Sequence, residues 1–162
     1  MSNQEILCMV QTLSEHLRIS GRLRVPAAFA LALVPHTYAI IASGKNFDVA
    51  NPRKTVDTCN KDTTLDKKTA QRIQRAEAAM ANGLETVGLY SAGIVAAAAT
   101  GVPAETLNYL SVAYLASRVG YIAVYVWLQE NRKLAPLRSL CWNASIGIIA
   151  TLWIKAGNKA AA

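Results

Sequence analysis

The chain has 162 residues, of which 52% are hydrophobic and 17% charged, with a formal net charge of +7. That length fits one domain, and the apolar share is high for a soluble globule of this size. The basic excess does not make a nucleic-acid binder, because the Lys and Arg residues gather between long uncharged runs instead of forming one basic surface.

In chain order, residues 1–24 read as a luminal lead-in with the character of an interfacial helix. Glu5, Glu15 and Arg18 interrupt any sustained apolar core there, so no cleavable signal peptide is expected. No residue from Val25 to Gly44 is charged. Such a run is close to the ~20 residues a helix needs to cross ~30 Å of hydrocarbon, and it defines a first span over about 25–44. Pro35 should kink this span and free a carbonyl, for which the adjacent His36 is a natural hydrogen-bonding partner. The segment from Lys45 to Lys68 has ten charged residues among 24, includes Ala50-Asn51-Pro52-Arg53, and reads as a solvated connector. Asp66 is well placed near the start of the next helix, which carries a second span over about 72–100. Gly101 and Pro103 mark a short hairpin into a third span, about 105–129, interrupted once by Arg118. Pro136 suits the first turn of a fourth span, about 137–155, with Trp142 and Trp153 as interfacial anchors near its ends. The glycosylation sequon Asn143-Ala144-Ser145 falls inside that span, out of a glycosyltransferase's reach, and residues 159–162 form a tail.

Helices bury every backbone polar group, which hydrocarbon demands, so the expected fold is all-α, an integral membrane four-helix bundle. Eleven basic residues lie in the segments after spans one and three against five on the other side, which puts those segments in the cytosol. Cys8, Cys59 and Cys141 have neither paired spacing nor a histidine cluster nearby, so neither a disulfide framework nor a metal site is expected.

The chemistry concentrates in two polar stripes. Arg75, Asn82 and Glu85 are separated by steps of seven and three, which return to one helix face. Arg118, Tyr121 and Tyr125 do the same one span later. An unpaired arginine in hydrocarbon costs ~3 kcal/mol even on a lenient insertion scale, so Arg118 is expected to pair with Glu85. The two stripes outline a pocket near the cytosolic ends. Forked guanidinium groups and tyrosine hydroxyls suit a carboxylate ligand, and the neighbouring lipid-facing cleft suits an apolar one.

Four elements in order resemble the MAPEG family of membrane-associated proteins in eicosanoid and glutathione metabolism, over about Val25 to Asn158. They are Ala50-Asn51-Pro52; Arg75-Ala76 with Asn82-Gly83-Leu84-Glu85; Arg118-Val119-Gly120-Tyr121 with Tyr125; and Ala135-Pro136-Leu137-Arg138-Ser139. The resemblance implies a homotrimer in the endoplasmic reticulum membrane, with glutathione bound between subunits near the cytosolic face and a lipophilic substrate entering from membrane lipid. It assigns Arg75, Asn82, Glu85, Arg118, Tyr121 and Tyr125 to the tripeptide. Arg138 or Arg132 would lie beside its thiol, with Ser139 as a helper. In the animal enzymes the first arginine typically stands four residues before the Asn, a position that here is Ala78. The implied activity is that of a glutathione-dependent transferase, peroxidase or isomerase. The same scaffold also suits a glutathione-independent isomerase or cyclase, or a non-catalytic lipid-binding partner.

Overall fold

A computed structural model describes residues 4 and 23–162, apart from the side chain of Arg132. Apart from residues 4, 23 and 24, the expected lead-in of residues 1–24, Cys8 included, lies outside the described residues. The described chain is helical, with no strand among the described residues. Helix α1 spans Arg24–Ser43, a short α2 Thr55–Lys61, α3 Lys67–Ala99, α4 Ala104–Val126 and α5 Ala135–Ala160. The long helices α1, α3, α4 and α5 pack lengthwise, with α3 touching every other helix.

The outer surface, unlike that of a soluble bundle, carries many large apolar side chains. Ile41 is 75% exposed, and Phe29, Val95, Val119, Leu140 and Ile154 also face outward. Buried serines, threonines and two arginines, Arg24 and Arg118, lie inside beside a mainly apolar core. Three helical stretches, Arg24–Asn46, Ala104–Val126 and Ala135–Ala160, are long and apolar enough to cross a membrane. With the family assignment given below, they make the chain an integral membrane protein. The expected second span lies on α3, whose 33 residues reach about 50 Å at 1.5 Å per residue. Length is therefore ample, but α3 is not among the three helices that qualify by composition. Glu77, Asn82 and Glu85 are the physical reason.

Local chemistry explains the joints. Asp66 caps α3, its Oδ2 accepting from the Thr69 backbone N–H at 3.1 Å. Gly101, at φ 81°, ends α3 in a left-handed turn in which the Val102 N–H reaches back to the Ala97 carbonyl at 2.9 Å. Val102 is buried beneath that turn. Where α1 crosses α3, a Cβ on Gly83 would stand 3.0 Å from Ala32 Cβ, so a larger residue there would press the two helices apart by a few tenths of an ångström.

Two sequence expectations need correction. His36, beside Pro35, is not engaged with a freed carbonyl: its Nδ1 is 2.9 Å from Glu77 Oε1 on α3. A carboxylate is the stronger partner for an imidazole, and α3 brings one to that level. The segment from Lys45 to Lys68 is more than a solvated connector. It contains 3₁₀ turns at Gly44–Asn46 and Pro52–Lys54 and the helix α2, which seats Cys59 in a core with Ala39 and Ile73. Burial, reinforced by the charge of Asp62, pushes the Cys59 thiol up from its ordinary value. Asp62 staples this segment. Its Oδ1 accepts from the Thr64 hydroxyl at 2.6 Å and backbone at 2.8 Å, and its Oδ2 from Asn46 Nδ2 at 2.9 Å. These bonds, the Thr64 hydroxyl first, hold its carboxyl well below the usual carboxylate range.

Candidate functional site

The site forms where α3, α4 and the first turns of α5 meet. On α3, Asn82 and Thr86 are four residues apart and present their oxygens to α4. On α5, Arg138 and Ser145 lie seven apart on one face, so they approach the same region from the other side. Between them stands Arg118 of α4, only 5% exposed.

Arg118 does not pair with Glu85. Its Nη1 donates to Asn82 Oδ1 at 3.2 Å and to Thr86 Oγ1 at 3.3 Å, and its Nη2 donates to Ser145 Oγ at 2.7 Å. The reason is rotational: on α3, Glu85 is turned about 60° away from Asn82, and Thr86 about 40° to the opposite side. The side chains facing α4 are therefore Asn82 and Thr86, and Glu85 is exposed. The cost of burying the guanidinium is offset by neutral oxygens and by the Tyr121 ring, whose centroid lies 4.7 Å from Arg118 Cζ.

Aromatic contacts carry this arrangement outward. The rings of Tyr121 and Tyr125 are 5.6 Å apart, and the Arg138 guanidinium lies 5.0 Å from the centroid of Tyr125. Beside this ladder opens a cleft of about 410 Å³ lined by Asn82, Tyr121, Arg138, Ser139, Trp142 and Asn143. Its walls carry one cation and several hydrogen-bond donors, a set that fits an anionic, polar ligand.

Of the residues nominated from the sequence, Asn82, Tyr121, Arg138 and Ser139 line one cleft, with Arg118 behind it and Tyr125 against Arg138. Arg75 is placed elsewhere. Its Nε and Nη2 donate to the carbonyl of Val126 at 3.3 and 3.1 Å, at the end of α4, and Nη2 is 3.8 Å from Glu130 Oε1. Arg72 joins the same carboxylate at 2.7 Å. A guanidinium there satisfies a terminal carbonyl and the negative end of the helix dipole. Glu85 is not a lining residue of the cleft, and the side chain of Arg132 lies outside the described residues.

Four residues were missed in the sequence. Thr86 was legible as the position four after Asn82, and Ser145 as the position seven after Arg138. Trp142 reads as an interfacial anchor and Asn143 as part of an unreachable sequon, yet both line the cleft. The Asn143 side chain donates to the Ser139 carbonyl at 2.9 Å, one turn back along α5.

No curated protein and no solved structure matches the chain. A model of the MAPEG family matches residues 24–158, nearly the whole described chain and every element of the cleft. The chain therefore belongs to the MAPEG family.

Proposed function

We propose that the chain is a membrane-bound, glutathione-dependent transferase, peroxidase or isomerase acting on a lipophilic substrate. The observation that carries this reading is the placing of Arg138 and Ser139 in one cleft with Asn82 and Tyr121. Asn82 and Tyr121 would take carboxylate and amide groups of the tripeptide. Arg138 would stand beside the thiol. A free thiol has a pKa near ~8.5, and a neighbouring guanidinium stabilises the thiolate, which is the nucleophile. In conjugation, a carbon–sulfur bond forms as the leaving group departs with its electron pair, and the thiol proton has already gone to solvent. Family membership supports a cytosol-facing site in the endoplasmic reticulum membrane, a homotrimer with sites between subunits, and α3 as a further span.

One observation favours a second reading. The Arg75 guanidinium is already engaged by the end of α4, and the position four before Asn82 is Ala78. Arg75 is thus not offered to the tripeptide, which suits a glutathione-independent isomerase or cyclase on the same scaffold. Calorimetry of purified protein in detergent separates the two. Saturable glutathione binding, with turnover of an aryl halide, supports the first; no binding at millimolar glutathione overturns it. A lipid that binds saturably and is recovered unchanged would instead identify a non-catalytic partner protein.

A further inference from the structure

The geometry around Arg118 assigns it a role different from ligand contact. It is buried, and its hydrogen-bond partners, Asn82, Thr86 and Ser145, are all oxygens of the protein. A guanidinium has donors only. The end of the Asn82 amide that faces it must therefore be the oxygen, and the NH₂ end is the one left to the cleft that Asn82 lines. Arg118 itself does not line this cleft, and the separate space it borders with Tyr114 and Gly83 measures only about 10 Å³, too small for a ligand.

Thr86 and Ser145 keep the guanidinium in place. The Thr86 hydroxyl donates to the carbonyls of Asn82 and Gly83, each at 3.1 Å, and accepts from Tyr114 Oη at 3.2 Å. The Ser145 hydroxyl donates to the carbonyl of Trp142 at 2.7 Å. With their protons committed to the backbone, both hydroxyls turn lone pairs toward Arg118. The cation also lies over the ring of Tyr121, the next residue of the cleft wall, and withdraws charge from it, which makes its hydroxyl a better donor.

We infer that Arg118 is a positioning residue, held by Thr86 and Ser145, that fixes Asn82 as a hydrogen-bond donor to a carboxylate bound in the cleft beside Arg138. This rests on the glutathione reading for the identity of the carboxylate. The orientation of Asn82 follows from the donor chemistry of Arg118.

The test is glutathione affinity of the full chain in detergent, measured by calorimetry for the wild type, Arg118→Met, Asn82→Ala and the double variant. Loss of one hydrogen bond to a charged group weakens binding by about tenfold or more. Each single variant should show that loss, and the double variant should be no weaker than the weaker single. Losses that multiply in the double variant would show Arg118 touching the ligand itself and would overturn the inference. Asn82→Asp is the second arm: its carboxylate pairs with Arg118 and keeps the melting temperature, but offers the cleft an acceptor. Its binding should fall by about tenfold or more. Unchanged affinity in Asn82→Asp would overturn the donor role. No binding by the wild type would overturn the glutathione reading and the inference together, an outcome distinct from the other two.

Discussion

At Arg75 the polar side of α3 meets the end of α4; two turns later, at Asn82 and Thr86, it meets Arg118 and the cleft. Sequence spacing places the two turns on one stripe, and both carry side chains suited to a carboxylate. Their partners separate them. At Arg75 the guanidinium is committed to a helix end and to Glu130, so that turn fastens α3 to α4. At Asn82 the amide oxygen is taken by Arg118 and its NH₂ is left to an open cavity, so that turn is available to a ligand. A polar residue on a helix such as α3 is thus read by what has already claimed its hydrogen bonds.

Substitutions can break this contrast. The largest effect is expected at Arg138→Ala, which removes the cation from the cleft: aryl-halide turnover should fall by about a hundredfold, the scale set by losing an electrostatic stabiliser of reacting charge, with glutathione still bound. Unchanged turnover would move the thiolate role elsewhere, with Arg132 the next residue to substitute. Tyr121→Phe keeps the ring over which Arg118 lies and removes only the hydroxyl, so glutathione affinity should weaken about tenfold with the melting temperature unchanged. Arg75→Ala should do the reverse. Loss of the bonds to the Val126 carbonyl should lower stability by about 1–2 kcal/mol, read as a lower melting temperature, and leave glutathione affinity unaltered. A large loss of affinity in Arg75→Ala with stability intact would erase the distinction between the two turns.

The smallest effect concerns the segment before α3. The folded-state carboxyl of Asp62 lies below its unfolded value, so its contribution is present above about pH 4 and is lost as the pH falls from there through the folded value. Hydrogen-exchange protection of the Thr64 backbone N–H should drop over that acidic range. Asn46→Ala should move the drop to higher pH, because it removes one of the bonds that depress the carboxyl. A pH-independent protection would show that the Asp62 staple does not hold this segment.

The fold was largely legible because hydrocarbon makes long uncharged runs conspicuous, and because Asp66, Gly101 and Pro136 act where local rules place them. The helix inside the segment from Lys45 to Lys68 was hidden for the opposite reason: seven residues bury only Thr55 and Cys59, too few for a visible period. In the site, spacing brought out Asn82, Tyr121, Tyr125 and Arg118, since steps of three, four and seven fix a helix face. Spacing could not say which neighbour each face meets. Arg118 was matched with Glu85 on charge, whereas a rotation of about 60° on α3 hands it to Asn82 and Thr86. The places of Ser145 and Trp142 at the site were missed for a related reason, because the inward side of α5 is set by tertiary packing against α3 and α4.

The central claim, a glutathione thiolate held beside Arg138, is tested most directly by ultraviolet difference absorbance of the thiolate when glutathione is added to the purified protein at neutral pH. The account predicts a saturable thiolate band in the wild type and in Arg75→Ala, and none in Arg138→Ala although glutathione still binds. A wild type that binds glutathione without the band, or an Arg138→Ala variant that keeps it, would contradict the account.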